Sequence, residues 1–403
     1  MSKPAVTGLI LTGGGARAAY QVGVLRAISR IRRQAGLPSD NPFPVIAGTS
    51  AGALNAAVLA SGADDFDKAV SQLVNVWFNS RVEQVYRTDS LGVIRSGARW
   101  LTMLSVGWLI ARWRREKPRS LLDNSPLAEF IQQWVDFSRL PGLIEAGHLH
   151  ALAVSTSSYS TGLHVTFYQS AQEAAPWERS QRHAVRCNLT LAHLMASSAI
   201  PFVFPAQVIA TPHGPQWFGD GSMRQTAPIS PAVHLGADRI LVIGAGRMTE
   251  PEGARRPLAA DYPNLAQIAG HAMSSIFLDA LSVDIERLQR INKTLSVLPD
   301  ELRAQTHLKP IELLVISPSQ RLDDIAARHL NALPLSIRAL LGGVGVGGSG
   351  VEVRGSALAS YLLFEADYTR ELMALGETDT EQRRDELLAF LRAGVRPAAA
   401  SQA

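Results

Sequence analysis

An α/β fold with a mostly parallel central sheet, helices on both faces and a helical C-terminal extension is what this chain predicts. Three observations lead there. Short apolar runs of strand length alternate with amphipathic helical segments, the pattern of a sheet built from crossover units. The runs Thr7 to Leu11, Val45 to Ala47 and Arg239 to Ala245 read as buried strands of a sheet covered on both sides. Two strand-to-helix turns are crowded with small residues, Gly13-Gly14-Gly15 and Gly48-Thr49-Ser50-Ala51-Gly52.

In chain order, Thr7 to Leu11 enters Gly13-Gly14-Gly15-Ala16-Arg17-Ala18. Ala19, Val22, Leu25, Ala27, Ile28 and Ile31 then recur at helical spacing. Gly36, Pro38 and Asn41-Pro42 end that helix in a loop. The strand from Val45 leads through the second turn into a helix starting near Ala51. Phe66 to Phe78 is another amphipathic helix, and Asp123-Asn124-Ser125-Pro126 caps one running to Trp134. Ala151 to Ser157 and His164 to Gln169 flank Ser160-Thr161-Gly162 as a hairpin. Thr190 to Ser198 is a helix stopped by Pro201, and Gln216 to Phe218 is a short strand ending at Gly219-Asp220-Gly221. Beyond the proline-rich stretch from Pro251 to Pro263, a long helix (about Leu265 to Lys293), one strand (Ile311 to Ser317) and two final helices (about Leu358 to Leu375 and Thr380 to Arg392) are expected.

Composition narrows the function classes. The 403 residues carry a formal net charge of only +4, so the whole chain does not read as a nucleic-acid binder. Charged residues make up 18%, below the usual ~25%, which hints at surface covered by something other than water. The single cysteine, Cys187, excludes an internal disulfide or a cysteine-rich metal site and fits a reducing compartment. Met1 to Val6 lacks the pattern of a signal peptide, and no segment reaches the ~18 uninterrupted apolar residues of a membrane span. A cytoplasmic protein is expected. Trp100 to Trp113 is almost entirely apolar, holds three of the seven tryptophans and is flanked by arginines from Arg95 to Arg119. Such a segment suits the interface of a membrane, on its inner face, and equally a lid or a buried helix with a basic end.

The chemistry centres on Gly48-x-Ser50-x-Gly52, a nucleophile-elbow pattern between an apolar strand and an alanine-rich helix. A serine there has strained backbone angles that lift its hydroxyl clear of the sheet. Gly48 and Gly52 must stay small because strand and helix pass closely. Gly13, Gly14 and Gly15 turn successive N–H groups toward an anion, a nest fit for the oxyanion of acyl transfer, with Arg17 close behind. Asp220, between two glycines at a strand end, would present an exposed carboxylate, although Asp-Gly is also an ordinary turn. Gly13-x-Gly15-x-x-Ala18 additionally fits a dinucleotide fingerprint, but the acid wanted ~20 residues on is represented only by Asp40 in a loop. Among ten histidines, His234 and His271 would suit the order of a Ser-Asp-His triad, and His148-x-His150 is a conceivable metal pair without matching ligands.

Taken in order, Gly-Gly-Gly-Ala-Arg, Gly-Thr-Ser-Ala-Gly and Asp-Gly resemble the patatin-like phospholipase family. Val22-Gly23-Val24-Leu25 and Ala199-Ile200-Pro201-x-x-Phe204-Pro205 add to the resemblance, which is scattered over about Gly8 to Ser222. It implies a fold related to the α/β-hydrolase elbow architecture and a Ser50–Asp220 dyad in which Ser50 attacks the acyl carbonyl and Asp220 takes its proton. Gly13, Gly14 and Gly15, helped by Arg17, would form the oxyanion hole, with no metal or organic cofactor. Phospholipids or other acyl esters would be substrates, and 95–119 would touch the membrane. Ala18 stands where the family usually has glycine, and Ser222 where it has Gly or Ala. On this reading residues 5–245 form the catalytic unit, 246–395 a mainly helical region contributing one strand, and 396–403 a disordered tail. A catalytically weak lipid- or nucleotide-binding regulator on the same fold is the alternative, and a dinucleotide-dependent oxidoreductase a third.

Overall fold

The computed structural model describes residues 5–89, 120–174, 177, 179–248, 262–306, 308–347 and 355–393. The tryptophan- and arginine-rich segment 95–119, most of the proline-rich stretch and the tail lie outside them. Strands β1 (Thr7–Leu11), β2 (Val45–Thr49), β3 (Ala151–Ser158), β4 (His164–Ser170), β5 (Arg182–Arg186), β6 (Gln207–Thr211), β7 (Gly214–Asp220), β8 (Arg239–Ile243) and β9 (Glu312–Ile316) form one sheet. Its order is β5-β4-β3-β2-β1-β8-β9, with the β6–β7 hairpin attached to β3. The β1–β2, β2–β3, β1–β8, β8–β9 and β4–β5 pairs are parallel; β3–β4, β3–β7 and β6–β7 are antiparallel. The sheet is therefore mixed but mostly parallel.

The helices used below are α1 (Ala19–Gln34), α2 (Ala51–Ser61), α3 (Phe66–Phe78), α4 (Ser125–Trp134), α5 (Leu191–Ser197), α6 (Leu265–Ser274), α7 (Ala280–Val297), α8 (Leu322–His329), α9 (Ser356–Leu362), α10 (Ala366–Gln382) and α11 (Arg384–Ala393). Helix α2 is buried nearly all round, which explains its run of alanines: only small side chains let it lie close to the strands. Helices α6 and α7 join through a π-helical turn, Ser275–Asp279. The resulting 33-residue run is long and apolar enough to cross a bilayer by length and composition alone. Phe277 and Leu281 instead pack into the core, and the buried Asp284 carboxylate accepts from Ile229 N at 2.9 Å.

The C-terminal region is built into the same body. Strand β9 pairs with β8, and α10 lies along α1, where Gly23 and Gly376 allow the two backbones to approach. Arg26 and Arg30 of α1 reach Glu377 and Glu381 across that contact. The single helix expected from Leu358 to Leu375 is interrupted at residues 363–365. There Phe364 turns inward to stack on Trp77 and meet Tyr86 edge-on. The expected strand at Gln216 to Phe218 is longer, and β5, β6 and α8 were not anticipated from periodicity.

Candidate active site

Parallel register places the two small-residue turns side by side. Leu11 pairs with Gly48, so β1 and β2 release the chain at the same sheet edge. Strand β1 is flanked by β2 on one side and β8 on the other, and the crevice beyond strand carboxyl ends at such a reversal is where ligands lie in open α/β sheets. Strand β3 continues past β2, and its Thr156 pairs with Asp220 at the end of β7. The three sequence motifs thereby converge at one end of the sheet.

Ser50 has φ 56 and ψ −132, a backbone state that a side-chain-bearing residue rarely adopts and that persists only where its surroundings enforce it. Several contacts enforce it here. A Cβ at Gly48 would meet the Ala53 Cα at 2.5 Å, and one at Gly52 would collide with the carbonyl oxygens of Leu11 and Thr12. The Ser50 amide donates to Ser197 Oγ at 2.9 Å, and that hydroxyl donates to Ser155 O at 2.7 Å. Helix α5 thus holds the turn from below. Ser50 lines a cleft and is only 1% solvent-exposed.

Asp220 departs from the expected exposed carboxylate: it is completely buried. Pairing of β7 with β3 and donation of its amide to Ala199 O at 3.0 Å draw it inside. Oδ1 accepts from Ser222 N at 2.9 Å, whereas Oδ2 is buried without an aligned hydrogen bond. Burial pushes the carboxyl up to about 6, opposed by hydrogen bonding from the Ser50 hydroxyl and from Ser222. The Ser50 hydroxyl is therefore close enough to influence the carboxylate without satisfying Oδ2. A buried, incompletely solvated carboxylate is a stronger base than one in water, which eases the mismatch between an aspartate and a serine hydroxyl.

Gly13 touches this arrangement directly, since a Cβ there would strike the Ser222 hydroxyl. Gly15 has φ +55, opens a 3-10 turn and lines the same cleft as Ser50; Gly14 packs on Ala245. The expectation for Arg17 needs correction. Its Nε donates to Ser360 Oγ at 2.8 Å, its guanidinium pairs with Asp323 at 2.5 Å and also donates to Ala357 O, and it lies 4.0 Å over the Tyr361 ring. Those partners belong to α8, α9 and the residues around them, so Arg17 fastens the first loop to the C-terminal region instead of facing an oxyanion.

The cleft at Ser50 is partly open to solvent. Its walls are almost wholly apolar, from α2, α3, α4 and Phe364. Besides Ser50, the polar residues of the wall are Asn55, Ser80, Gln84 and Ser198. Asn55 accepts from Trp77 Nε1 at 2.8 Å and donates to Gln21 Oε1 and Ala18 O. Gln21 in turn donates to Thr12 O at 2.8 Å, tying the glycine loop to the pocket wall. Sequence reading missed Ser197, Gln21, Asn55 and Trp77. Asn55, a polar residue in an otherwise alanine-rich helix, was the one legible signal.

Among the described residues no histidine lines the cleft. His234 stacks on Trp177 with ring centroids 4.7 Å apart, and His271 is exposed on α6. Burial pushes His164 and His193 down to about 4, but neither lines the cleft at Ser50. His148 and His150 are exposed beside β3, and no cluster of metal-binding side chains occurs among the described residues.

A mostly parallel α/β sheet with a serine on a positive-φ turn, at the head of an apolar cleft, defines the class. Residues 9–233, more than half of the chain, match the family model of the patatin-like phospholipases, and the chain belongs to that family. Similar solved structures include human GIVD cytosolic phospholipase A2, at 10% identity, covering 97% of this chain and 60% of that one with a TM-score of 0.45. VipD from Legionella pneumophila follows at 13% identity, covering 93% and 67% with a TM-score of 0.29. The type III effector ExoU, from Pseudomonas aeruginosa, is 16% identical, covering 98% and 94% with a TM-score of 0.26. This chain spans about three fifths of the length of the human protein. Comparison with curated protein sequences gave no match.

Proposed function

We propose that the protein is a serine lipid acyl hydrolase acting on phospholipids or other acyl esters through a Ser50–Asp220 dyad. The observation that carries this reading is the elbow serine at the mouth of an apolar cleft, beside a buried carboxylate with one unsatisfied oxygen. Asp220 takes the Ser50 proton as Oγ attacks the ester carbonyl, and the negative charge forms on the carbonyl oxygen. We assign backbone N–H groups of the Gly13-Gly14-Gly15 loop as the donors that receive it, with the N-terminus of α2 as support; Gly15 in the wall of the cleft is what favours this loop. Collapse of the intermediate expels the alcohol, which takes the proton from Asp220. Water then attacks the acyl-Ser50 ester with Asp220 again as base, releasing fatty acid. The acyl chain lies in the cleft, where burial of each methylene favours binding by about 0.8 kcal/mol.

Contact with the inner face of the cytoplasmic membrane through 95–119 belongs to the same proposal, resting on the tryptophans and arginines of that segment. Loss of liposome binding in Trp108→Glu is the outcome that supports it. Fatty-acid release from a panel of phospholipids and p-nitrophenyl esters tests the chemistry. Wild type should turn over, and Ser50→Ala and Asp220→Asn should lose nearly all activity. Silence of the wild type across the panel contradicts the hydrolase reading.

A further inference from the structure

One wall of the cleft is a face of α2. Ser50, Ala51, Leu54, Asn55 and Val58 line it at spacings that keep to a single face of α2. Helix α3 returns beside α2 after the short connection at residues 62–65 and supplies Leu73 and Trp77 to the lining. Ile131 and Trp134 of α4, with Val135 just after it, also line the cleft. Trp77 is pinned to Asn55, midway along α2, so Leu73, one turn earlier in a returning helix, lies nearer the far end. Val58, Leu73 and Val135 are all buried there. Val58 is the last residue of α2 in the lining, and the polar groups past it are already satisfied. Arg139 donates to Ser61 O at 2.7 Å and to Asp64 at 2.7 Å, capping the end of α2.

From Ser50 to Val58 the helix rises about 12 Å, at ~1.5 Å per residue. An extended hydrocarbon advances roughly 1.25 Å per methylene from its bond lengths, so the slot holds about nine or ten carbons. We propose that the site selects medium acyl chains, up to about ten carbons in the slot, with Val58, Leu73 and Val135 as the floor that sets the limit. This rests on the hydrolase reading for its chemistry, but the slot itself can be measured without turnover. Chains longer than the slot must bend back or leave their ends in water, losing the gain that each further methylene would bring.

The test is binding of saturated fatty acids, from butyrate to palmitate, to the Ser50→Ala protein by calorimetry, alongside hydrolysis of the matching p-nitrophenyl esters by wild type. Affinity should climb about three- to fourfold per methylene up to decanoate and then level off. Leu73→Ala should move the break toward laurate or myristate, and Val58→Phe should move it down toward hexanoate. The break is read from the shape of each series, so a change in overall affinity does not obscure it. A climb that continues to palmitate, or no fatty-acid binding at all, overturns the inference. So does a break that both floor variants leave at decanoate. Equal hydrolysis of decanoyl and palmitoyl esters would likewise sink the length limit while leaving the hydrolase standing. A decanoate break in Ser50→Ala, with no ester hydrolysed by wild type, would keep the slot and remove the hydrolase.

Discussion

Replacing Asp220 by Asn removes a buried charge and leaves the shape of the site nearly intact. The amide oxygen can still accept from Ser222 N, and the new N–H groups face the Ser50 hydroxyl. Burial raises the carboxyl from 3.8 to about 6, so between those two pH values the folded protein holds a proton there that the unfolded chain has released, and above them both are ionised. The sign follows from linkage: the neutral carboxyl favours folding below the unfolded value, and this contribution is lost as pH rises through the folded value. A shift of about two units corresponds to roughly 3 kcal/mol at ~1.36 kcal/mol per unit. Asp220→Asn carries no such charge. Its stability advantage over wild type should therefore grow by roughly 3 kcal/mol between about pH 4 and about pH 8. Urea denaturation of both proteins across that range measures it. The same substitution should lower kcat by about 10²- to 10⁴-fold, the usual worth of a general base. A gap that stays flat with pH, or a variant that loses ground as pH rises, would refute the claim that Asp220 is ionised at a desolvation cost in the working enzyme.

Other consequences are equally specific. The acid limb of kcat/KM should rise through about pH 6 as Asp220 ionises, and Ser222→Ala should move that limb to higher pH by removing a hydrogen bond that favours the carboxylate; pH–rate profiles of both proteins decide it. Ser197→Ala should cost roughly ten- to a hundredfold in kcat, since the Ser50 amide loses its buried acceptor, with a smaller change in KM; steady-state kinetics measure the split. Asp323→Ala should destabilise the fold by about 3–5 kcal/mol by leaving the buried Arg17 charge uncompensated, and Arg17→Met should cost less than that. Urea midpoints of the two variants test the order.

The parts that were legible are those governed by local sterics. Gly48-x-Ser50-x-Gly52 announces part of its geometry, because a Cβ at Gly48 would strike its own turn at Ala53, whereas Gly52 is kept small by the Leu11 and Thr12 carbonyls at the end of β1. The buried strands are similarly visible, since a sheet covered on both faces admits only apolar runs. What escaped reading depends on residues far apart in sequence. Arg17 looked like an anion-binding group because it follows three glycines; only the fold shows that Asp323 and Ser360, more than 300 positions later, take its donors. The break in the helix after Leu362 has no proline or glycine to mark it and follows from Phe364 finding Trp77 and Tyr86. Asp220 looked like an exposed turn because its burial comes from pairing with β3, which short-range pattern does not encode. Ser197, one serine among several small residues before Ile200, gave no sign that it would hold the nucleophile.

The most direct test of the central claim is covalent labelling with an alkyl fluorophosphonate, with the modified residue mapped by mass spectrometry in wild type, Ser50→Ala and Asp220→Asn. The account predicts a single adduct on Ser50 in wild type, none in Ser50→Ala and slow labelling in Asp220→Asn. An unlabelled wild-type protein, or an adduct on any residue other than Ser50, would contradict it.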